Sequence, residues 1–132
     1  MKIIKIVVDF IKNLFTKKSP KNETQIAVDR GEIKIIGVGG FGTRAINYLK
    51  EKDFDGEKLV LIDTDSIDLQ QSNKYNLQYL QIGEKTTKGN GSGTNSKIGE
   101  IAAIENYDKI SSIIKNFKKI ILILSNGGAT GT

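Results

Sequence analysis

The chain has 132 residues and a formal net charge of +5, and it contains neither cysteine nor histidine. The missing side chains exclude disulfides, thiolate or imidazole metal sites and any catalytic triad that needs Cys or His, and the length suits one small α/β domain. Most of the excess charge lies in residues 1–30, which hold seven Lys and Arg against three Asp and Glu. The rest is nearly neutral, so no nucleic-acid partner is expected.

The amino-terminal segment, residues 1–15, has apolar side chains at helical spacing and lysines on the opposite side, which predicts an amphipathic helix. It is shorter than the roughly 20 residues needed to span a bilayer. Two alternatives stay open: the helix packs on the domain or a partner, or it lies on a membrane surface with its lysines near anionic lipid. Residues 16–30, which hold the only proline, are predicted to be a linker.

From residue 31 onward, short β-rich runs alternate with helical patterns, which is typical of a parallel sheet with crossover helices. The predicted elements are a strand at 33–38, a helix at 43–51, an apolar strand at 59–62, a short helix at 66–72, a strand near 77–82, one or two helices between 98 and 117, and a strongly apolar strand at 120–124. We therefore predict an α/β fold, a partial Rossmann-like parallel sheet, preceded by the amphipathic helix.

Three glycine-rich segments stand out, at residues 37–42, 89–95 and 127–132. They are called the first, second and third glycine segments below. Glycine lets an anion approach backbone N–H groups, and a helix that follows adds a favourable dipole. The first and third segments follow predicted strands, as do Asp63 and Asp65, and ligands gather at the carboxyl ends of strands in open α/β sheets. The pattern predicts that all three segments surround the phosphates of one nucleoside triphosphate.

Two alternatives compete with this interpretation. The first segment matches G-x-G-x-x-G, with Asp63 about 20 residues further on, as in a dinucleotide site. Such a site gives no role to the second and third segments, which favours the triphosphate. Glycines that only form turns, and strand-end aspartates that only cap, are the simpler alternative.

Four ordered motifs resemble the amino-terminal part of FtsZ, the bacterial relative of tubulin. They are Ile-Lys-Ile-Ile-Gly-Val-Gly-Gly at 33–40, Ile-Asp-Thr-Asp at 62–65, Gly-Glu-Lys-Thr-Thr-Lys-Gly at 83–89 and Gly-Gly-Ala-Thr-Gly-Thr at 127–132. The last motif resembles the tubulin signature loop, which in that family cradles the GTP phosphates. The resemblance spans about residues 33–132.

The resemblance implies a cytoplasmic GTP-binding protein that self-associates into filaments at the division site. It implies hydrolysis between subunits, with Mg²⁺ carried by the nucleotide. The implied nucleotide contacts are Gly39, Gly40, Phe41, Gly42, Thr43, Arg44, Asp65, Ser92, Gly93, Thr94, Gly128, Ala129, Thr130 and Gly131. Asp65 would lie beside the γ-phosphate and its metal. No catalytic residue and no dedicated metal ligand is assigned within this chain.

Four positions depart from the family pattern. Phe41 replaces Gly or Ala, Arg44 replaces a common Asn, Asp63 replaces Asn, and Ala129 replaces a glycine of the signature. Phe41 would be strained if its position required a positive φ. An arginine near a triphosphate would add a charge-assisted contact, on the order of 1.5 to 3 kcal/mol.

The motifs run to Thr132, so we expect residues 31–132 to be an incomplete GTP-binding domain of low stability on its own. In the family, the residues that contact ribose and guanine, and the acidic loop that positions water, come later. The leading hypothesis is a divergent or truncated FtsZ-like cell-division protein. The alternatives are a non-catalytic fragment that docks on membrane or filament, and a fragment of a dinucleotide-binding oxidoreductase.

Overall fold

A computed structural model describes residues 33–115 and 117–132. Four strands form one parallel sheet in the order β3-β2-β1-β4. The strands are β1 (Ile33–Val38), β2 (Leu59–Asp63), β3 (Gln78–Gln81) and β4 (Lys119–Ile123). The α-helices are α1 (Gly39–Glu51), α2 (Ser66–Gln71), α3 (Glu84–Thr87), α4 (Ser96–Glu105) and α5 (Tyr107–Ile114), with short 3₁₀ helices at Gly56–Lys58 and Asn73–Tyr75.

The predicted α/β fold with a partial parallel sheet and crossover helices is confirmed. The helix predicted at residues 1–15 and the linker predicted at 16–30 lie outside the described residues. Within the part of the chain that the structure describes, no helix combines the length and apolar character that crossing a bilayer requires.

The sheet has a hydrophobic core on each face because successive strand side chains point to opposite sides. Ile35 belongs to the cluster that includes Ile46 and Leu49 of α1, whereas Ile36 belongs to the cluster that includes Ala102 of α4. All five residues of β2 are buried, as predicted for a central strand of a parallel sheet. The result is a three-layer arrangement with helices on both faces.

The predicted start of the first helix was wrong. Helix α1 begins at Gly39 rather than at residue 43, so most of the first glycine segment is helical. Glycine is a poor helix former, yet packing requires it here: a Cβ on Gly42 would lie 2.5 Å from the carbonyl oxygen of Ile123. The region between 98 and 117 forms two helices, separated at Asn106.

The strand order creates a topological switch point between β1 and β4. After β1 the chain adds β2 and β3 along one edge of β1, and it then returns to add β4 along the opposite edge of β1. Gly37 of β1 is paired with Ile123 of β4, so the segments that follow these two strands diverge from neighbouring points. Crevices of this kind are the usual ligand sites of open α/β sheets.

Candidate functional site

A cavity of about 240 Å³ lies at the carboxyl edge of the sheet, at the switch point. Parts of all three glycine segments line it, together with the end of β2 and Asp68 of α2. The structure therefore brings together segments that are up to about 90 residues apart in sequence.

The amino terminus of α1 opens into this cavity. Its N-cap residue, Val38, makes no side-chain hydrogen bond to the helix, and the first turn holds no acidic residue. The first N–H groups of a helix have no acceptor within the helix, and the helix dipole is positive at this end. Because Gly39, Gly40 and Phe41 line the cavity, this end of α1 is suited to an anion.

Gly39 allows the first and third glycine segments to meet. Its φ is +71°, and a Cβ there would lie 3.3 Å from the Gly131 nitrogen and 3.4 Å from the Thr130 Cβ. Phe41 is not among the residues with positive φ, so the strain considered from the sequence does not arise. Its partly buried ring packs against the core cluster on the α1 side of the sheet.

The end of β2 is organised by the buried carboxylate of Asp63. Its Oδ1 accepts hydrogen bonds from the N–H groups of Thr64 at 2.7 Å and Asp65 at 3.3 Å, and its Oδ2 accepts one from the Thr43 hydroxyl at 3.3 Å. Burial raises the pKa of Asp63, and the two backbone N–H groups partly oppose this rise. The nearby carboxylate of Asp68 raises the pKa further.

Two more carboxylates border the cavity. The Oδ1 atom of Asp65 caps α2 by accepting hydrogen bonds from the N–H groups of Ile67 at 2.8 Å and Asp68 at 3.3 Å. Asp68 also lines the cavity. Positive charge comes from Arg44: a Cβ on Gly40 would lie 3.4 Å from an Arg44 guanidinium nitrogen and 3.2 Å from an Asp68 carboxylate oxygen. Three carboxylates and the first N–H groups of α1 therefore border the cavity, and the Arg44 guanidinium lies just outside it, beside Gly40.

The second glycine segment is held against the start of α2. The carbonyl oxygen of Gly89 accepts hydrogen bonds from both the N–H and the hydroxyl of Ser66, each at 3.0 Å. Asn90 forms an isolated antiparallel bridge with Asp65. At the other end, the Asn95 side chain caps α4 by accepting a hydrogen bond from the Lys97 N–H at 3.0 Å. These contacts keep residues 90–93 along the cavity wall.

The third glycine segment is joined to the rest of the site through one hydroxyl. Thr130 Oγ1 lies 2.8 Å from the Thr64 hydroxyl and 2.6 Å from the Ser92 hydroxyl. Thr64 and Ser92 are buried. Three hydroxyls from three separate segments therefore form one hydrogen-bonded chain beside the cavity.

Most of the residues implied by the resemblance border this cavity. The ten that do are Gly39, Gly40, Phe41, Asp65, Ser92, Gly93, Gly128, Ala129, Thr130 and Gly131. The other four do not line it: Gly42 and Thr43 are buried within α1, and Arg44 and Thr94 are exposed. Thr64, Asp68 and Ser125 also line the cavity and were not predicted as contacts, whereas Asn90 and Gly91 belong to the second glycine segment, which was predicted to surround the phosphates. Thr64 could have been predicted to line the site, because it lies between Asp63 and Asp65, which were both placed at the end of a strand.

A model of the GTPase domain of the Tubulin/FtsZ family matches residues 32–132. The chain belongs to the tubulin/FtsZ family. Over 101 residues it is 41% identical to the cell division protein FtsZ of Aquifex aeolicus and 38% identical to the mitochondrial division protein fszB of Dictyostelium discoideum. Each alignment covers 76% of this chain and 27% of the relative, so the chain spans about a quarter of the length of these curated relatives.

Solved structures agree with this assignment. An empty FtsZ dimer from M. jannaschii matches with a TM-score of 0.67 and 32% identity, over 93% of this chain and 32% of that one. CetZ2 from Haloferax volcanii, solved as a GTPγS-bound protofilament, matches with a TM-score of 0.63 over 76% of this chain and 32% of that one. Its sequence identity is 21%, so this likeness supports the fold alone.

Proposed function

We propose that residues 31–132 bind the phosphates of GTP and form the amino-terminal part of an FtsZ-type GTP-binding domain. The observation that carries the proposal is the convergence of three glycine segments and the uncapped α1 terminus on one cavity at the switch point. The phosphates would accept hydrogen bonds from N–H groups at the start of α1 and in the other two segments, as the sequence motifs implied. The Thr130 hydroxyl would add another donor.

The charges around the cavity favour a nucleotide that carries a cation. Asp63, Asp65 and Asp68 would repel a bare polyphosphate, and Mg²⁺ on the phosphates would reduce this repulsion. Across residues 33–115 and 117–132, no three acidic side chains are arranged to hold a metal ion. The donor set therefore fits a hydrated Mg²⁺ held mainly by phosphate oxygens, near Asp65, better than a protein cage.

For the complete protein we propose the family role: a cytoplasmic, FtsZ-like cell-division protein that assembles into filaments, with GTP hydrolysis between subunits. Support comes from the relatives, which are named as division proteins, and from the FtsZ of M. jannaschii, which was solved as a dimer. The membrane-docking role of residues 1–15 stays a hypothesis from their sequence pattern.

Calorimetric titration of the 132-residue chain with Mg²⁺ and GTP, tripolyphosphate or NAD tests the binding proposal. We expect GTP and tripolyphosphate to bind competitively, because the cavity is built around backbone donors for phosphate, and NAD not to bind. Gly39→Val should weaken binding, since a side chain there requires an unfavourable φ and meets the third segment. Gly127→Val is the matched control, because nothing lies within 4 Å of a Cβ at Gly127. Binding of NAD in place of GTP would refute the proposal.

A further inference from the structure

The third glycine segment is hydrogen-bonded to other described parts of the chain through a single atom. Beyond Leu124, the hydrogen bonds that join this segment to other parts of the described chain both end at Thr130 Oγ1. The other side-chain bonds of the segment, from the Thr132 hydroxyl to Asn126 and Gly128, are internal to it. Glycine-rich backbone has high conformational entropy to lose, so an external tie is needed to fix it over the cavity.

We propose that Thr64 is a positioning residue that, through Thr130, holds the third glycine segment in its ligand-binding position. Thr64 is fully buried and its backbone has a partner on both sides. Its N–H donates to Asp63 Oδ1, and its carbonyl oxygen, 3.4 Å from the Thr87 hydroxyl, shares that proton with the Gly83 carbonyl oxygen at 3.0 Å. Its hydroxyl, 2.8 Å from Thr130 Oγ1, therefore projects from a rigid strand end. Ser92 holds Thr130 from the second segment.

One hydroxyl proton in this chain of three hydroxyls is not used in the hydrogen bonds between them. Each of the three hydroxyls carries one proton, and the two links between them use two protons. The third proton is available to an acceptor in the cavity that all three residues line. If Thr130 donates its proton to an anion, the hydroxyls of Thr64 and Ser92 both donate to Thr130 Oγ1, so these two hydrogen bonds and the ligand contact strengthen one another. This part of the inference rests on the proposed phosphate binding.

The test uses two substitutions that remove a hydroxyl with little change of shape, Thr64→Val and Ser92→Ala, in the 132-residue chain. Each should weaken the affinity for Mg²⁺–tripolyphosphate and Mg²⁺–GTP about three- to tenfold, the range expected for one hydrogen bond. Because both act through Thr130, their effects in the double variant should fall short of additive. Thr64→Ser, which restores the hydroxyl, should recover most of the affinity.

The matched control is Ser72→Ala. The Ser72 hydroxyl is also buried and makes two hydrogen bonds, with the Asp68 carbonyl and the Asn47 amide, but it does not line the cavity. This change should lower the melting temperature and leave affinity unchanged. If Ser72→Ala weakens binding as much as Ser92→Ala, or if Thr64→Val binds as the parent does, the inference fails while phosphate binding stands.

Backbone NMR order parameters of residues 125–131 provide a readout that needs no ligand, because they report how well the segment is fixed. Thr64→Val should lower these order parameters, and Ser72→Ala should not. Unchanged order parameters in Thr64→Val would overturn the positioning role, whether or not the parent chain binds a nucleotide. Lower order parameters in a chain that binds no phosphate would keep the positioning role and refute the proposed function.

Discussion

Among the individual residues, Asp63 stabilises the fold but places a negative charge where we propose that an anion binds. Its carboxylate accepts hydrogen bonds from two backbone N–H groups and a hydroxyl, and these bonds fix the end of β2. The same carboxylate lines a cavity that we propose for a polyphosphate. An asparagine would keep an oxygen for the backbone N–H groups and remove the charge.

We therefore predict that Asp63→Asn tightens the binding of Mg²⁺–GTP. Removing one negative charge near the phosphates is worth on the order of 1 kcal/mol at a partly screened distance, which is about fivefold in affinity. Calorimetric titration at pH 7 measures it. The control is Asp108→Asn, which removes the same charge from α5, away from the cavity. Equal or weaker binding by Asp63→Asn would contradict the prediction.

The same residue predicts a pH dependence. Burial raises the pKa of Asp63 above its ordinary value of 3.8, so the folded protein takes up this proton more readily than the unfolded chain. Above the raised pKa, the buried Asp63 is ionised and lowers the free energy of unfolding by the full desolvation cost. This cost is relieved, and the free energy of unfolding increases, as the pH falls through the raised pKa toward 3.8. Thermal unfolding of the parent and of Asp63→Asn should differ least at the acid end of this interval. A stability gap that widens as the pH falls would contradict the raised pKa.

Among the secondary-structure elements, helix α4 contacts both the third glycine segment and α3. At its amino-terminal half, Gly99 lies so close to the third glycine segment that a Cβ would be 2.3 Å from the Ala129 carbonyl oxygen. At its carboxyl end, Glu105 accepts hydrogen bonds from the N–H groups of Lys85 at 2.9 Å and Thr86 at 3.2 Å in the first turn of α3. The neighbouring Asn106 accepts one from the Gly83 N–H at 2.7 Å.

Gly99→Ala should destabilise the protein and displace the third segment. The added methyl meets backbone, which cannot move aside as a flexible side chain can, and overpacking of this kind costs about 1–3 kcal/mol. We expect a lower melting temperature and weaker Mg²⁺–GTP binding, measured by calorimetry. Gly127→Ala, in the third segment but with open space around its Cβ, should change neither. Parent-like binding and stability in Gly99→Ala would show that the helix and segment can separate without loss.

Glu105 predicts an acid-sensitive junction between α3 and α4. The hydrogen bond from the Lys85 N–H is the largest cause that lowers the pKa of Glu105 below 4.5, and the hydrogen bond from the Thr86 hydroxyl is the second largest. Its stabilising effect is therefore present above pH 4.5 and lost as the pH falls through the lowered pKa. Melting temperatures measured from pH 7 to pH 3 should fall less steeply in Glu105→Gln than in the parent.

Glu100→Gln is the control for this acid sensitivity. Glu100 lies on the same helix, but its salt bridge with Lys97 is exposed, and such pairs contribute little to stability. Its acid profile should match that of the parent. If Glu105→Gln also follows the parent profile, Glu105 does not stabilise α3.

At the scale of the whole molecule, the sheet has an apolar edge. Strand β4 pairs with β1 alone among the described strands, and 57% of Leu122 is exposed. Beside it lies an apolar cavity of about 330 Å³, between the sheet and α5, that Ile110, Ile114 and Ile120 help to line. Unpaired strand edges and apolar patches favour association.

We predict that the 132-residue chain self-associates with rising concentration and that Leu122→Lys reduces this about tenfold, since a charge on an edge strand opposes strand pairing. Analytical ultracentrifugation measures the association, and the melting temperature should change little because the side chain is exposed. Ile67→Lys is the control, an equally exposed isoleucine on α2. Equal loss of association in both variants would mean that charge alone, and not the β4 edge, is responsible.

The sequence predicted the order of elements well because its apolar runs are strong. The five buried residues of β2 and the isoleucines of β1 and β4 leave few alternatives to a parallel sheet. Helix α1 was predicted four residues too late, because three glycines at its start argue against a helix until their packing on the sheet is known. The four-residue helix α3 was missed because it lies between left-handed positions at Gly83 and Lys88.

The site was predictable as a set of segments and not as a set of contacts. Glycine patterns and strand ends located the cavity walls, but side-chain contacts depend on tertiary placement. The contact between Thr64 and Thr130 joins hydroxyls 66 positions apart, and no local pattern distinguishes these threonines from others. The exposure of Arg44 likewise follows from the orientation of α1, which motif spacing does not specify.

The strand order also sets when the cavity can exist during synthesis. A ribosome releases β1, α1, β2 and the second glycine segment before β4, yet the wall formed by residues 125–131 comes after β4 in the chain. The nascent chain therefore cannot enclose this cavity until residues 125–131 have left the exit tunnel and β4 has docked beside β1. Phosphate capture must accordingly follow the docking of β4, so it stabilises that step and cannot guide the earlier ones.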